Sequence, residues 1–235
     1  MHVQADWVTT ISTGLRNRAV SLGISSDRVT WIPSGAPSDL IRPLDKDDCK
    51  KRLGIPSSAF LIGYVGIGAR DIAMILPALA AIRKRRPEVR LGIIGPVEDS
   101  RSLHRPDLRE SVAAFGPVPF AQLPVYLAAC NAFILPLTNT VFNRTRWPNK
   151  FGDFLAAGRP VLCSNVGDVA AIVKAEGCGF VWNDLSELRH GIETLVEDAS
   201  LSSRMGERAR LLAEGRLSWQ TLALDFAEVY RRVCT

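Results

Sequence analysis

The segment PNKFGDFLAAGRPV, residues Pro148–Val161, predicts a short helix, a stop and a buried strand in immediate succession. Pro148 suits the first turn of a helix, where its missing N–H group would have no partner in any case. The apolar residues that follow recur at helical spacing and give the helix one apolar face. Gly158 is placed to end the helix in a left-handed conformation, which glycine adopts without steric cost.

Two charged side chains lie at the start of this predicted helix. Lys150 and Asp153 occupy its first turn, beside backbone N–H groups that favour anions. Lys150 is polar in an otherwise apolar helix start, which indicates a binding role, although a solvated lysine is the simpler alternative. The helix start is therefore a candidate anion site.

Strands and helices alternate along most of the chain. Residues 60–65 predict a strand that runs into the glycine-rich loop Gly66–Asp71 and then into a helix over 72–86. Further strands are predicted at 90–95, 112–115, 132–136, 161–163 and 179–182, with helices at 122–129, 169–175 and 219–233. This alternation predicts an α/β fold with a doubly wound, Rossmann-like parallel sheet and helices on both faces. Ligands of such sheets lie at the carboxyl ends of the strands.

The chain divides into two parts near residue 45. Residues 1–45 predict two strands around one helix, followed by a linker that contains Pro37 and Pro43. A βαβ unit of this size is too small to build its own core, so it is interpreted as the remnant of a larger N-terminal domain. Residues 46–235 form the main predicted domain.

Composition favours a soluble globular protein. The 235 residues are 47% hydrophobic and 23% charged, and no apolar run reaches the roughly 18 residues of a membrane span. The five cysteines form no CxxC pair and have no metal-ligand spacing with the three histidines, so a reducing compartment and no structural metal are expected. The first residues lack the layout of a signal peptide, so the sequence predicts a cytoplasmic location.

The net charge of +5 is concentrated most densely in the run Arg83–Arg86. Two interpretations stay open: a solvated helix end, or a surface that attracts anionic lipid head groups at the inner face of the cell membrane. Nucleic acid is not expected as a partner, because the run has no interleaved aromatic residues and no nucleic-acid-binding motif accompanies it.

Several short motifs, taken in order, resemble those of one enzyme family. Residues 28–35 are similar to R-V-x-V-I-P-N-G, 91–95 to L-x-I-V-G, 115–118 to F-x-G-x-V, 148–161 to P-S-K-x-x-E-Y-L-A-A-G-K-P-V, and 217–219 to F-S-W. Together they resemble the C-terminal, donor-binding half of a retaining glycosyltransferase with the GT-B fold. That large family includes many bacterial mannosyl-, glucosyl- and galactosyltransferases.

The resemblance implies an activity and a set of partners. A hexose would be transferred with retention from a nucleoside-diphosphate sugar, held by residues 46–235, to a glycan or lipid-linked acceptor, as in polysaccharide biosynthesis. The acceptor surface would lie mostly in an N-terminal domain, without which the isolated chain is expected to be inactive. No metal or other cofactor is expected. The alternatives are a non-catalytic α/β module that binds a nucleotide or a partner, and a sugar-nucleotide epimerase or a phosphorylase of similar fold.

The resemblance also implies which residues would bind the diphosphate. Gly66 and Gly68 would let the backbone approach the phosphates closely, although they could simply form a strand-to-helix turn. Arg70 and Lys150 are the expected catalytic cations, which would stabilise the leaving diphosphate as the glycosidic bond breaks.

The remaining expected donor-binding residues lie in two of the motifs. Asp153 stands where the family has a glutamate that binds the ribose hydroxyls, and the backbone near Val118 stands where the family holds the base. Phe151 and Gly152 complete the predicted donor-binding set. One departure concerns the sugar: the family's second acidic residue, eight positions before the ribose carboxylate, is replaced by Thr145. Either another group contacts the sugar, or the donor is handled differently.

Overall fold

The structure, a computed structural model, describes residues 5–66, 69–96 and 111–234 and contains two parallel sheets. Strands β1 (Val8–Thr10) and β2 (Val29–Trp31) pair with each other in the small sheet. The strands of the large sheet are β3 (Phe60–Val65), β4 (Val89–Ile94), β5 (Val112–Gly116), β6 (Ala132–Leu135), β7 (Val161–Ser164) and β8 (Gly179–Trp182). Their order is β5-β4-β3-β6-β7-β8, and every pairing is parallel.

Helices connect the strands. They are α1 (Thr13–Ser21), α2 (Lys46–Arg52), α3 (Ala69–Arg83), α4 (Leu123–Ala129), α5 (Val141–Thr145), α6 (Lys150–Ala156), α7 (Gly167–Glu176), α8 (Leu185–Glu197), α9 (Ala199–Glu214) and α10 (Trp219–Cys234).

Alternate residues of the strands serve the two faces of the large sheet. Leu61 of β3 packs in a core with residues of α4, α6, α7 and α9, whereas its neighbour Ile62 packs in a second core with residues of α3 and α8. On the first face the rings of Phe133 and Phe154 stack at 4.2 Å. Because both faces are buried, the strands are apolar throughout, as parallel sheets require. The predicted doubly wound α/β fold is confirmed.

The segment that opened the sequence analysis folds as predicted. Helix α6 ends just before Gly158, which adopts a left-handed φ of +66°, and β7 begins at Val161. A difference occurs at α3, which begins at Ala69 rather than at residue 72. Asp71 therefore lies within the first turn, where a carboxylate favours the positive end of the helix dipole.

The small sheet is tied to the large domain through the start of α1. The backbone N–H of Thr13 donates to Asp168 Oδ2 at 2.7 Å, and the Thr13 hydroxyl donates to the other carboxylate oxygen. The Ser12 hydroxyl donates to the carbonyl oxygen of Thr145. These bonds join α1 to α5 and α7, and the predicted division between residues 1–45 and 46–235 stays a prediction.

Candidate functional site

The strand order places a crevice between β3 and β6. From β3 the following strands β4 and β5 are added on one side of the sheet, and from β6 the following strands β7 and β8 are added on the other. A reversal of this kind leaves a ligand-binding crevice at the carboxyl ends of the two central strands. Gly66 directly follows β3, and the segment that follows β6 leads through α5 to Lys150 at the start of α6. The topology therefore brings together two residues that are 84 positions apart in the chain.

Gly66 lies directly beneath the Lys150 side chain. Its φ of +141° disfavours any residue with a Cβ, and a Cβ built there would overlap Lys150 Nζ. Gly95, at the end of β4, has a φ of +129°, and a Cβ built there would lie 2.6 Å from the carbonyl oxygen of Gly66. Both glycines are therefore required by close packing at the crevice.

Lys150 is half-buried and has no ionic partner within the described part of the chain. Its Nζ lies 5.1 Å from the centre of the Tyr64 ring, a cation–π contact. No described residue hydrogen-bonds to it or forms a salt bridge with it. Burial lowers the pKa of Lys150; the nearby Asp71 and Asp153 carboxylates oppose this, and the positive charge of Arg146 adds to it.

Asp153 is the other half-buried charged group of α6. Burial raises its pKa from 3.8 to about 6, and the charge of Lys150 opposes the rise. Of the described residues, none donates a hydrogen bond to its carboxylate. Lys150 and Asp153 therefore carry charges that the described protein groups do not satisfy, and such groups in a crevice indicate a binding site.

Two of the backbone N–H groups at this helix start are engaged within the preceding turn. The N–H of Phe151 donates to the carbonyl of Pro148 at 2.9 Å, and that of Gly152 donates to the carbonyl of Asn149 at 3.0 Å. These two N–H groups therefore bond within the turn before α6, and anion binding by the helix start stays a prediction. The cation of Lys150 is the clearer anion-binding group at this position.

Phe151 and Gly152 support the fold of the site. The Phe151 ring is fully buried and meets the Trp147 ring edge-on at 5.8 Å. A Cβ at Gly152 would lie 3.1 Å from the carbonyl oxygen of Gly35 and from the Cα of Ala36, so this glycine lets α6 pack against the linker. Direct contact of either residue with a donor stays a prediction.

The other predicted donor contacts also stay predictions. Gly68 and the side chain of Arg70 lie outside the described residues. Val118 follows β5, is half-buried and packs against the first core, so its backbone lies near the same edge of the sheet.

The Thr145 hydroxyl already donates its hydrogen within α5. That one hydrogen is shared between the carbonyl oxygens of Val141, at 2.9 Å, and Phe142, at 3.2 Å. Helix α5 itself was missed by the sequence analysis, because five residues carry too little periodicity to predict a helix. Its one local signal is Thr140, whose hydroxyl accepts a hydrogen bond from the N–H of Asn143, as an N-cap does.

Sequence reasoning also missed Tyr64 and Arg146. Tyr64 is buried in β3 and forms a long hydrogen bond of 3.5 Å to Asp71. Arg146 is half-buried, and its Nε is buried without a hydrogen-bond partner among the residues that the structure describes. A tyrosine in a strand and an arginine in a loop are common, so only their tertiary surroundings single them out.

A cavity of about 700 Å³ lies at the opposite edge of the sheet, where the strands begin. Arg159 and Arg210 line it, but their guanidinium groups are bound to backbone carbonyls, for example those of Cys130 and Ala156. Cations already satisfied in this way offer little to an anion, so the crevice at Lys150 is the better candidate site.

The basic run at the end of α3 is partly engaged. Arg86 pairs with Glu197, and Arg83 donates to the carbonyls of Pro87 and Val89. These contacts favour the interpretation as a helix end, and a membrane contact stays a prediction. Among the described helices, none combines the length and the apolarity that crossing a bilayer requires.

The described residues contain no group of three or more histidine, cysteine, aspartate or glutamate side chains that could hold a metal ion. The expectation that donor binding requires no metal ion stays a prediction.

Two curated proteins with the same name are similar to most of this chain. The chain is 29% identical over 223 residues to a D-inositol 3-phosphate glycosyltransferase of Streptomyces avermitilis, covering 86% of this chain and 46% of that protein. A protein of the same name from Streptomyces scabiei is also 29% identical, over 87% of this chain and 48% of its own length. The chain therefore spans about half the length of the curated relatives it matches.

Solved structures share the fold. Anabaena HepE in complex with UDP superposes with a TM-score of 0.81 at 19% identity, covering 97% of this chain and 64% of that one. The C-terminal domain of a group 1 family glycosyl transferase from Francisella tularensis superposes with a TM-score of 0.64 at 12% identity, covering 77% of this chain and 98% of that domain.

The sequence profile of the family described as "Glycosyl transferases group 1" matches residues 59–198, which is more than half of the chain. The matched region contains the crevice with Gly66, Lys150 and Asp153. This chain is therefore a member of the group 1 glycosyl transferases and has the GT-B type of fold.

Proposed function

We propose that this chain supplies the donor-binding part of a glycosyltransferase that moves a hexose, with retention, from a nucleoside-diphosphate sugar to a glycan or lipid-linked acceptor. The observation that carries the proposal is a pair of half-buried charges at the crevice, Lys150 and Asp153, which form no salt bridge or hydrogen bond with the residues that the structure describes and lie beside the close-packed Gly66. A nucleoside diphosphate needs both a cation for its phosphates and an acceptor for its ribose hydroxyls.

Lys150 would act on the phosphates. Its amine is held over Gly66 and the Tyr64 ring, so it is positioned before any ligand binds. The leaving diphosphate gains negative charge as the glycosidic bond breaks, and a fixed cation stabilises that charge in the transition state. An anion beside Lys150 also opposes the burial that lowers the pKa of its amine.

Asp153 would act on the ribose. A carboxylate accepts hydrogen bonds from two neighbouring hydroxyls, and those bonds would offset the burial that now raises its pKa to about 6. Asp153 lies one helical turn from Lys150, a spacing that suits the two ends of one nucleotide.

The relatives suggest which ligands to test first. The Anabaena HepE structure is a complex with UDP, and the curated relatives are named for D-inositol 3-phosphate. UDP and its sugars are therefore the first donors to test, with an inositol phosphate as one acceptor.

Calorimetry with UDP, GDP, ADP and their hexose conjugates, with and without a chelator, tests the proposal. We expect Lys150→Ala to weaken binding by about 1 to 3 kcal/mol, the usual cost of losing a charged hydrogen bond. Lys174→Ala is the matched control, because Lys174 is exposed on α7, away from the crevice. Wild-type protein that binds none of these nucleotides at millimolar concentration would refute the proposal.

A non-catalytic nucleotide-binding module is the second candidate. It is favoured by Thr145, whose hydroxyl is used within α5 at the position of the family's second acidic residue. The two candidates differ in one result: nucleotide binding without any transfer, once an acceptor domain is supplied in cis or in trans, supports the module.

A further inference from the structure

Arg146 is a cation to which the proposed donor-binding site has so far assigned no role. It follows the last residue of α5, and its backbone N–H donates to the carbonyl of Phe142 at 3.0 Å, which fixes the main chain. Its guanidinium carbon lies 5.3 Å from the centre of the Phe142 ring, so the side chain rests on an aromatic face. The ring supports the guanidinium plane without satisfying its N–H groups.

The guanidinium lacks the partners that a half-buried arginine usually has. Its Nε is buried and makes no hydrogen bond, and within the described ranges no carboxylate forms a salt bridge with it. Arg144, two residues earlier, behaves differently: it is exposed, and its Nη1 donates to Asn139 Oδ1 at 2.7 Å. A buried N–H without a partner is costly, and a binding site is one reason for a fold to keep it.

Arg146 lies beside the proposed donor crevice, between the end of α5 and the turn that enters α6. It stands four positions before Lys150, and its positive charge adds to the burial that lowers the pKa of the Lys150 amine. Two cations that share a crevice and pair with no described carboxylate repel each other when the site is empty. An anion placed between them would remove that repulsion.

We propose that Arg146 is a further anion-binding residue of the donor site, beyond Lys150 and the expected Arg70, where its guanidinium binds an anionic group of the donor next to the one that Lys150 holds. This inference rests on the proposed function. Two donor groups have the required chemistry: the terminal phosphate of the diphosphate, and a carboxylate on the transferred sugar. A planar guanidinium suits both, because it donates two parallel hydrogen bonds to either oxyanion.

The surroundings of Thr145 are compatible with an anionic sugar. At this position the chain has no carboxylate that would repel one, and the next residue is the cation of Arg146. The side of the crevice formed by the end of α5 is therefore positively charged.

The test compares Arg146→Gln and Arg146→Lys with the control Arg144→Gln, which removes the same charge from an exposed neighbour. Binding of pyrophosphate, UMP, UDP, UDP-glucose and UDP-glucuronate is measured by calorimetry. We expect Arg146→Gln to lose about tenfold or more in affinity for at least one diphosphate ligand, with UMP little changed. Arg146→Lys should recover only part of the loss, because it keeps the charge but not the planar pair of donors.

The pattern of losses identifies the bound group. An equal loss for UDP, UDP-glucose and pyrophosphate assigns Arg146 to the terminal phosphate, and a loss confined to UDP-glucuronate assigns it to the sugar carboxylate. Arg146→Gln should stay folded, which urea unfolding checks, because its Nε has no described hydrogen-bond partner to lose and the lost contact with the Phe142 ring is offset by relief of the repulsion with Lys150.

The two proposals fail separately. If pyrophosphate binds wild type but no nucleotide does, the proposed function is rejected, and the pyrophosphate affinity of Arg146→Gln alone decides the role of Arg146. If Arg146→Gln binds every ligand as tightly as Arg144→Gln does, or if pyrophosphate and all the nucleotides fail to bind wild type, the Arg146 proposal is overturned.

Discussion

Replacing Asp153 by asparagine should stabilise the free protein near neutral pH while weakening its binding of a donor. Burial raises the pKa of the Asp153 carboxyl from 3.8 to about 6. An acid whose pKa is raised by folding binds its proton more tightly in the folded state. The stability that this tighter proton binding contributes is therefore complete below the pKa of the carboxyl in the unfolded protein. It is lost as the pH rises to about 6, the pKa in the folded protein.

The magnitude follows from that difference in pKa. One pKa unit corresponds to about 1.4 kcal/mol, so the charged carboxylate costs the folded protein roughly 3 kcal/mol at about pH 7. Asparagine carries no charge and avoids this cost. The stability gained by Asp153→Asn over wild type should therefore grow by about 1.3 kcal/mol between about pH 5 and pH 7.

Urea unfolding followed by circular dichroism at several pH values measures this difference. Asp225→Asn is the control, since it removes an exposed carboxylate in the middle of α10. UDP-glucose is the better ligand for the second half of the test, because the terminal phosphate of UDP itself titrates near pH 6. Wild type should bind UDP-glucose more tightly as pH rises to about 6, whereas Asp153→Asn should bind weakly at every pH.

Two results would refute the reasoning. A stability difference between Asp153→Asn and wild type that does not change with pH would mean that burial does not raise this pKa. Unchanged binding of UDP-glucose by a folded Asp153→Asn would separate the carboxylate from the donor site.

Three further predictions concern the glycine turn, the core and metal dependence. Gly66→Ala should destabilise the protein by about 1 to 3 kcal/mol through its positive φ and should also displace the Lys150 amine, weakening donor binding. Gly54→Ala, at a φ of +67° with open space around the new Cβ and before the start of β3, should be strained without losing donor affinity; equal affinity losses in the two variants would contradict this role of Gly66. Phe154→Ala should lower the free energy of unfolding by about 3 to 5 kcal/mol, because it removes the stack with Phe133 and leaves a cavity. Urea unfolding measures this loss, and a loss below about 1 kcal/mol would contradict the packing of the two rings. Donor binding should be unchanged by EDTA in calorimetry, and a large loss would show that a metal takes part.

Much of the fold was predictable because its signals are local. The strand over residues 60–65 was predicted with the bounds that the structure has, since a short apolar run followed by glycine depends only on neighbouring residues. Gly158 was predicted to be left-handed because it is a glycine directly after the apolar helix, and its φ of +66° confirms this. The short helix α5 escaped prediction, and the start of α3 was placed three residues late, because helix ends depend on contacts outside the helix.

The candidate site was predictable only as a set of residue types. The sequence singled out Lys150 and Asp153 by their polarity in an apolar segment and by the family resemblance. It could not show that the N–H groups of Phe151 and Gly152 are engaged, because those bonds depend on the conformation of the preceding turn. Nor could it distinguish Arg146 from the other arginines of the chain.

The sequence by itself determined the alternation of apolar strands and amphipathic helices, and with it the parallel sheet, since periodicity and glycine stops act within a few residues. Only the tertiary structure decided that Gly66 lies beneath Lys150 and that the buried Nε of Arg146 has no partner among the described residues. The physical reason is that the burial of a side chain and its hydrogen-bond partners depend on the atoms packed around it. Those atoms belong to residues far apart in the chain, and here the reversal of strand order between β3 and β6 brings such residues together.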